Sequence, residues 1–154
     1  MSVFLADEQD DQIDAEPLRR LAELVLHEER FPEDTDVTLL FVGEDQIATY
    51  NDRFMHREGA TDVLAFPIEH LKPGLVPERR PGGPPLNIGD VVIAPSYVRA
   101  QATAASVAFE DELALLVVHG LLHLLGYDHQ DDDQADAMEQ REQRLLARAR
   151  RLRA

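Results

Sequence analysis

The stretch that most constrains this chain runs over residues 110–125, a helix-length segment so continuously apolar that it must be covered on most sides, yet interrupted by His119 and His123. Four residues apart on a helix, the two imidazoles lie on one face and can aim ring nitrogens at a common point. Gly126 then ends the helix, because a glycine just past the last turn adopts the left-handed conformation that reverses a chain. Tyr127 and Asp128 supply the length that brings His129 back toward the first two rings. Left without partners in such a segment, buried imidazole nitrogens would cost about 1–3 kcal/mol each. A metal ion offsets that cost. Three neutral nitrogen ligands leave one tetrahedral position open, the arrangement of a catalytic zinc rather than a closed structural one.

The rest of the composition narrows the chemistry. There is no cysteine among the 154 residues, so neither disulfides nor thiolate ligands are available, and a reducing compartment is expected. The N-terminus has no basic region and no apolar run long enough for a signal peptide, and no segment approaches the ~18 apolar residues that span a bilayer. A cytoplasmic protein with no membrane partner is the expectation. Thirty acidic against fifteen basic side chains give a net charge of −15, which excludes broad electrostatic adhesion to nucleic acid or anionic lipid. A polyanionic partner must therefore use a local cationic site. Six arginines do fall between Arg141 and Arg153, but at helical spacing they read as a solvated helix face rather than an RNA-binding arm.

Along the chain, alternating and periodic patterns predict strands at 3–5, 36–43, 62–66 and 88–94. They predict helices from an N-cap at Asp14 to just before Phe31-Pro32, then at 44–55, 96–107, 110–125 and from 132 to about 150. The last helix carries a core stripe of Ala135, Met138, Leu145, Ala149 and Leu152. Residues 70–87, dense in proline and glycine, form a mobile loop, and residues 148–154 a frayed tail. The expected architecture is α+β: residues 1–154 as one domain, a small mixed sheet of about four strands packed with about five helices, and the metal site on a central buried helix.

The spacing of His119, His123, Gly126 and His129 matches the offsets of the metzincin peptidase motif H-E-x-x-H-x-x-G-x-x-H. A peptidase of that kind needs a carboxylate beside its first ligand as general base, and this chain has Gly120 there. The full string His-Gly-Leu-Leu-His-Leu-Leu-Gly-Tyr-Asp-His over 119–129 instead resembles the signature of the YbeY family of bacterial metal-dependent endoribonucleases. Thr-Asp-Val-Leu-Ala-Phe-Pro at 61–67 and Gly-Asp-Val-Val-Ile-Ala-Pro at 89–95 resemble two further family stretches, so the likeness runs in order across about 37–146.

The resemblance implies one Zn2+ held by His119, His123 and His129, and hydrolysis of single-stranded RNA. It implies a role in 3′-end maturation of 16S ribosomal RNA and in ribosome quality control, with the small subunit or its assembly proteins as partners. One departure bears on the chemistry. Met55 stands where many family members carry an arginine that holds RNA phosphate, and Arg53, His56 and Arg57 lie beside it. Arg57 is the expected replacement contact, with Arg53 and Arg99 as further cations near the site. Ala65 replaces a serine of the family pattern. Asp128 either orients a ligand histidine or satisfies amides of the turn at Gly126. Asp62 is expected to serve the backbone, Tyr127 to pack, and His27 and His70 to lie on the surface, outside the triad. Two rival functions remain on sequence grounds: a metallohydrolase of another substrate class, such as a peptidase, and a non-catalytic, zinc-containing ribosome-assembly factor.

Overall fold

The structure, a computed structural model, describes residues 1–79 and 81–153. The strands are β1 (Ser2–Glu8), β2 (Thr35–Val42), β3 (Val63–Pro67) and β4 (Leu86–Ile93). The helices are α1 (Glu16–Glu28), α2 (Glu44–Met55), α3 (Pro95–Ala105), α4 (Phe109–Leu124) and α5 (Asp132–Arg153). Among the described residues this is the expected α+β domain of four strands and five helices. The sheet is mixed, in the order β1-β2-β4-β3. β1 and β2 run parallel with Val3 opposite Val37, β2 and β4 run parallel with Leu39 opposite Val91, and β3 lies antiparallel to β4 with Val63 opposite Ile93. Pro67 closes β3 on the sheet edge, where a residue without an amide hydrogen breaks no ladder.

Alternation along β2 decides which helices cover which face. Val37, Leu39 and Phe41 are fully buried and join Val91 and Ile93 of β4 in the main core. α1, α4 and α5 close over that face, contributing Val25, Leu121, Leu122, Met138 and Leu145. Val42, Leu64 and Val92 point the other way, into a smaller cluster with Ile47 of α2. α4 packs against α1, α3, α5, β3 and β4. Hence a helix with eight buried residues, Leu113 to Leu124, can be apolar nearly all round.

Several boundaries differ from those the sequence suggests. β1 extends through Glu8 because Ala6, Asp7 and Glu8 continue to pair with Leu40, Phe41 and Val42, the polar side chains being tolerated on an edge strand. Asp14 is not the N-cap of α1. Ala15 holds that place with no side-chain cap, and a proline occupies the first turn. Leu152 is not a core contact, for it is 60% exposed, whereas Met138 and Leu145 are buried and Ala149 packs on the core. Core contact on this stripe ends at Ala149, while the helix and its periodicity run on for another turn. Of the predicted loop 70–87, Leu86 and Asn87 already belong to β4, Lys72 and Leu75 form an isolated bridge, and Arg80 lies outside the described residues. Of the predicted tail 148–154, helix continues through Arg153, and Ala154 lies outside the described residues.

Candidate metal centre

The end of α4 shows how three histidines meet. The Gly126 amide donates to the His123 carbonyl (3.1 Å) and the Tyr127 amide to the Leu122 carbonyl (3.0 Å), the paired bonds of a Schellman turn. Gly126 itself sits at φ 100°, which an L side chain rarely adopts. The reversal folds His129 back so that its ring centroid lies 5.0 Å from that of His123 and 5.9 Å from that of His119. One ligand nitrogen from each of the three falls within 4.8 Å of the others, so the group could hold a metal ion.

The outer nitrogens of His119 and His123 are committed. His119 Nδ1 lies 2.8 Å from Glu142 Oε1 on α5, and His123 Nδ1 lies 3.0 Å from the carbonyl oxygen of Tyr127. A carbonyl only accepts, so His123 carries its proton on Nδ1, and an ionised Glu142 requires the same of His119. Both Nε2 atoms are then bare lone pairs in the neutral rings, and they face each other across 3.0 Å. Two acceptors at that distance repel unless a cation lies between them. Burial, and after it the neighbouring His119 and His129, hold the His123 imidazole below its ordinary pKa, so a proton is disfavoured there and a metal ion is the fitting cation. Nitrogen donors without thiolates suit zinc.

A cleft of about 570 Å³ opens over the triad. One wall is β3 with its approach, Asp62 to Ala65 and Pro67; another is the segment Glu69, His70 and Leu71; Met55 and Arg57 stand at the end of α2. The stretches at 61–67 and 89–95, far apart in sequence, are thus adjacent antiparallel strands under α4. Arg57 follows His56, whose left-handed backbone ends α2, and among the described residues it is the one arginine or lysine lining the cleft. Arg53 and Arg99 do not line it. Arg99 is held elsewhere, 3.6 Å from Asp11, on the carbonyl of Gln12 and over the ring of Phe109. Asp128 Oδ1 accepts from the amide of His129 at 2.8 Å and stands 3.9 Å from its Nδ1, beyond hydrogen-bond reach of the ring. Asp62 takes the Val63 amide and the Gln101 side chain, tying β3 to α3. His27 is exposed, as expected, and His70, though exposed, belongs to the cleft wall.

Glu142 is the residue that sequence reasoning missed. It is only 8% exposed and makes its contact from 23 positions away in the chain. A signal existed: four residues after Met138 and three before Leu145, this carboxylate lies on the apolar stripe of α5.

Known proteins share this chain's sequence over most of its length, and one shares its fold. The family model described as endoribonuclease YbeY matches residues 4–150. The chain is 42% identical to the endoribonuclease YbeY of Acidothermus cellulolyticus over 86% of this chain and 82% of that protein. It is 40% identical to that of Thermobifida fusca over 98% and 96%. A Thermotoga maritima protein solved in solution superposes with a TM-score of 0.63 at 25% identity, covering 96% of this chain and 88% of that one. With the family's histidine string folded into one cleft and its two other stretches paired beneath it, the chain belongs to the YbeY family of endoribonucleases.

Proposed function

We propose that this protein is a zinc-dependent endoribonuclease of single-stranded RNA that acts in 16S rRNA 3′-end maturation and ribosome quality control at the small subunit, in the cytoplasm. The observation that carries the metal part is the pair of Nε2 lone pairs facing each other at 3.0 Å with both Nδ1 atoms bound to acceptors. His119, His123 and His129 hold the ion. A zinc ion there supplies Lewis acidity toward a phosphoryl oxygen and lowers the pKa of water toward ~7, so that few protein acids or bases are needed.

The remaining residues bind and orient. His119 and His123 are half-buried in the cleft, and a phosphate reaches them between β3 and the segment Glu69 to Leu71. A flexible single strand can enter such a cleft, whereas a rigid A-form duplex presents its phosphates on a convex surface. Arg57 is the phosphate contact, being the one guanidinium in the lining among the described residues. Against it stand Asp62, Glu69 and Asp128, which among the described residues leaves two net negative charges with the histidines neutral. A divalent cation cancels them, so metal binding and RNA binding are coupled by charge.

The peptidase reading is opposed by Gly120, which is pressed against the side chains of Val91 and Val63 and leaves no room for a general base beside the first ligand. The test is to incubate the zinc-loaded protein with unstructured RNA and with casein. RNA cleavage with casein intact supports the proposal, and casein cleavage without RNA cleavage ends it.

A further inference from the structure

We propose that Glu142 is a positioning residue of the metal centre, whose carboxylate fixes the tautomer and orientation of His119. The inference rests on the reading of the triad as a metal site. Three observations carry it. Glu142 is one of three buried polar or charged residues in the described chain, and such a carboxylate is retained only where it is paired. Its hydrogen-bonding partner is His119 Nδ1, at 2.8 Å, which is the nitrogen turned away from His123. Finally, the placement of Glu142 is braced from the next residue. Arg141 Nε donates to Glu29 Oε1 of the α1 C-terminal region at 2.6 Å, where the Glu29 side chain is 8% exposed, so α5 is clamped to α1 one residue from the contact.

The chemistry follows from the partners. Free neutral imidazole carries its proton on either nitrogen, and only the form protonated at Nδ1 leaves Nε2 able to bind a cation. An ionised carboxylate accepts and cannot donate, so Glu142 selects that form before any ion arrives. It also places negative charge behind the ring, which favours a cation on Nε2. His123 obtains the same tautomer from the Tyr127 carbonyl, a neutral acceptor within its own turn. The two ligands of α4 are therefore oriented by different means: one by the local fold of the helix end, the other by a side chain that arrives only when α5 docks.

The test uses the full-length protein and the variants Glu142→Gln and Glu142→Leu, with two readouts. In metal-free protein, 15N histidine spectra report which nitrogen of His119 bears the proton; zinc affinity is measured by competition with a chromophoric chelator. Expected are a pure Nδ1–H form in wild type and a tautomer mixture in both variants, because a glutamine amide can donate as well as accept and leucine can do neither. Zinc affinity should fall about 10–100-fold in Glu142→Leu and less in Glu142→Gln. If Glu142→Leu does not fold, Glu142→Gln decides, by a tautomer mixture at His119 and a few-fold loss of zinc affinity. An unchanged tautomer and zinc affinity within twofold in Glu142→Leu, or in its absence undiminished affinity in Glu142→Gln, overturn the role of Glu142 alone. A wild-type protein that takes up no zinc overturns the metal reading and this proposal with it.

Discussion

A Cβ placed on Gly120 would stand 2.5 Å from Cγ1 of Val91, a fully buried side chain of β4. The hydrogen at position 120 lets α4 settle on the sheet and sets how far His119 and His123 stand from the β3 wall. Gly120→Ala should gain about 1 kcal/mol of helix propensity and, with a buried Val91 methyl only 2.5 Å away, lose about 3 kcal/mol to overpacking, a net destabilisation of about 2 kcal/mol. Urea unfolding should show a lowered midpoint at unchanged slope. Gly120→Glu, which restores the peptidase pattern in sequence, should unfold the protein rather than create a protease.

Gly126 is constrained on both counts, by its φ of 100° and by the carbonyl oxygen of Leu71, which lies 2.2 Å from an added Cβ. Gly126→Ala should cost about 1–3 kcal/mol in backbone strain alone and displace either the helix-end turn or the segment at Leu71. Because that turn carries His129, zinc affinity should fall along with stability. A variant that loses stability yet binds zinc as the parent does would separate the turn from the metal site.

These two glycines show what a sequence discloses and what it withholds. The helix end at Gly126 was legible because its cue is local, a glycine after an apolar run with a histidine three residues on. α2 and the core of β2 were legible for the same reason, as periodicity at 44–55 and branched residues at 36–43. The close approach of Gly120 to Val91, the seating of Leu71 on Gly126 and the reach of Glu142 to His119 are contacts between distant parts of the chain, for which one sequence holds no cue beyond residue size or a polar residue on an apolar face. Leu152 departs from the expected stripe because periodicity tells which side of a helix faces the core but not where along the helix core contact ends.

Arg57 and Met55 should act oppositely on RNA binding. Removing one phosphate contact flattens the slope of log affinity against log salt by about 0.7 for single strands, so Arg57→Ala should show that change with zinc content unaltered. Met55 lines the same cleft, and Met55→Arg should steepen the slope by a similar amount and tighten binding. If Arg57→Ala binds and cleaves RNA as the parent does with an unaltered slope, Arg57 does not hold the phosphate.

Metal removal should weaken RNA binding before any bond is broken. With three carboxylates against one guanidinium among the described residues of the cleft, the metal-free site repels phosphate. Fluorescence anisotropy with an uncleavable RNA analogue should show a loss of affinity on chelation that zinc restores. Equal affinity in both states would leave the ion no part in binding.

The decisive measurement joins metal analysis to RNA cleavage on a single preparation, with His123→Ala beside the wild type. The wild type should hold about one zinc per chain, cleave single-stranded RNA, lose that activity to a chelator and regain it with zinc, while His123→Ala retains little metal and no activity. RNA cleavage that survives complete chelation, or zinc content unchanged in His123→Ala, would contradict a metal centre at His119, His123 and His129.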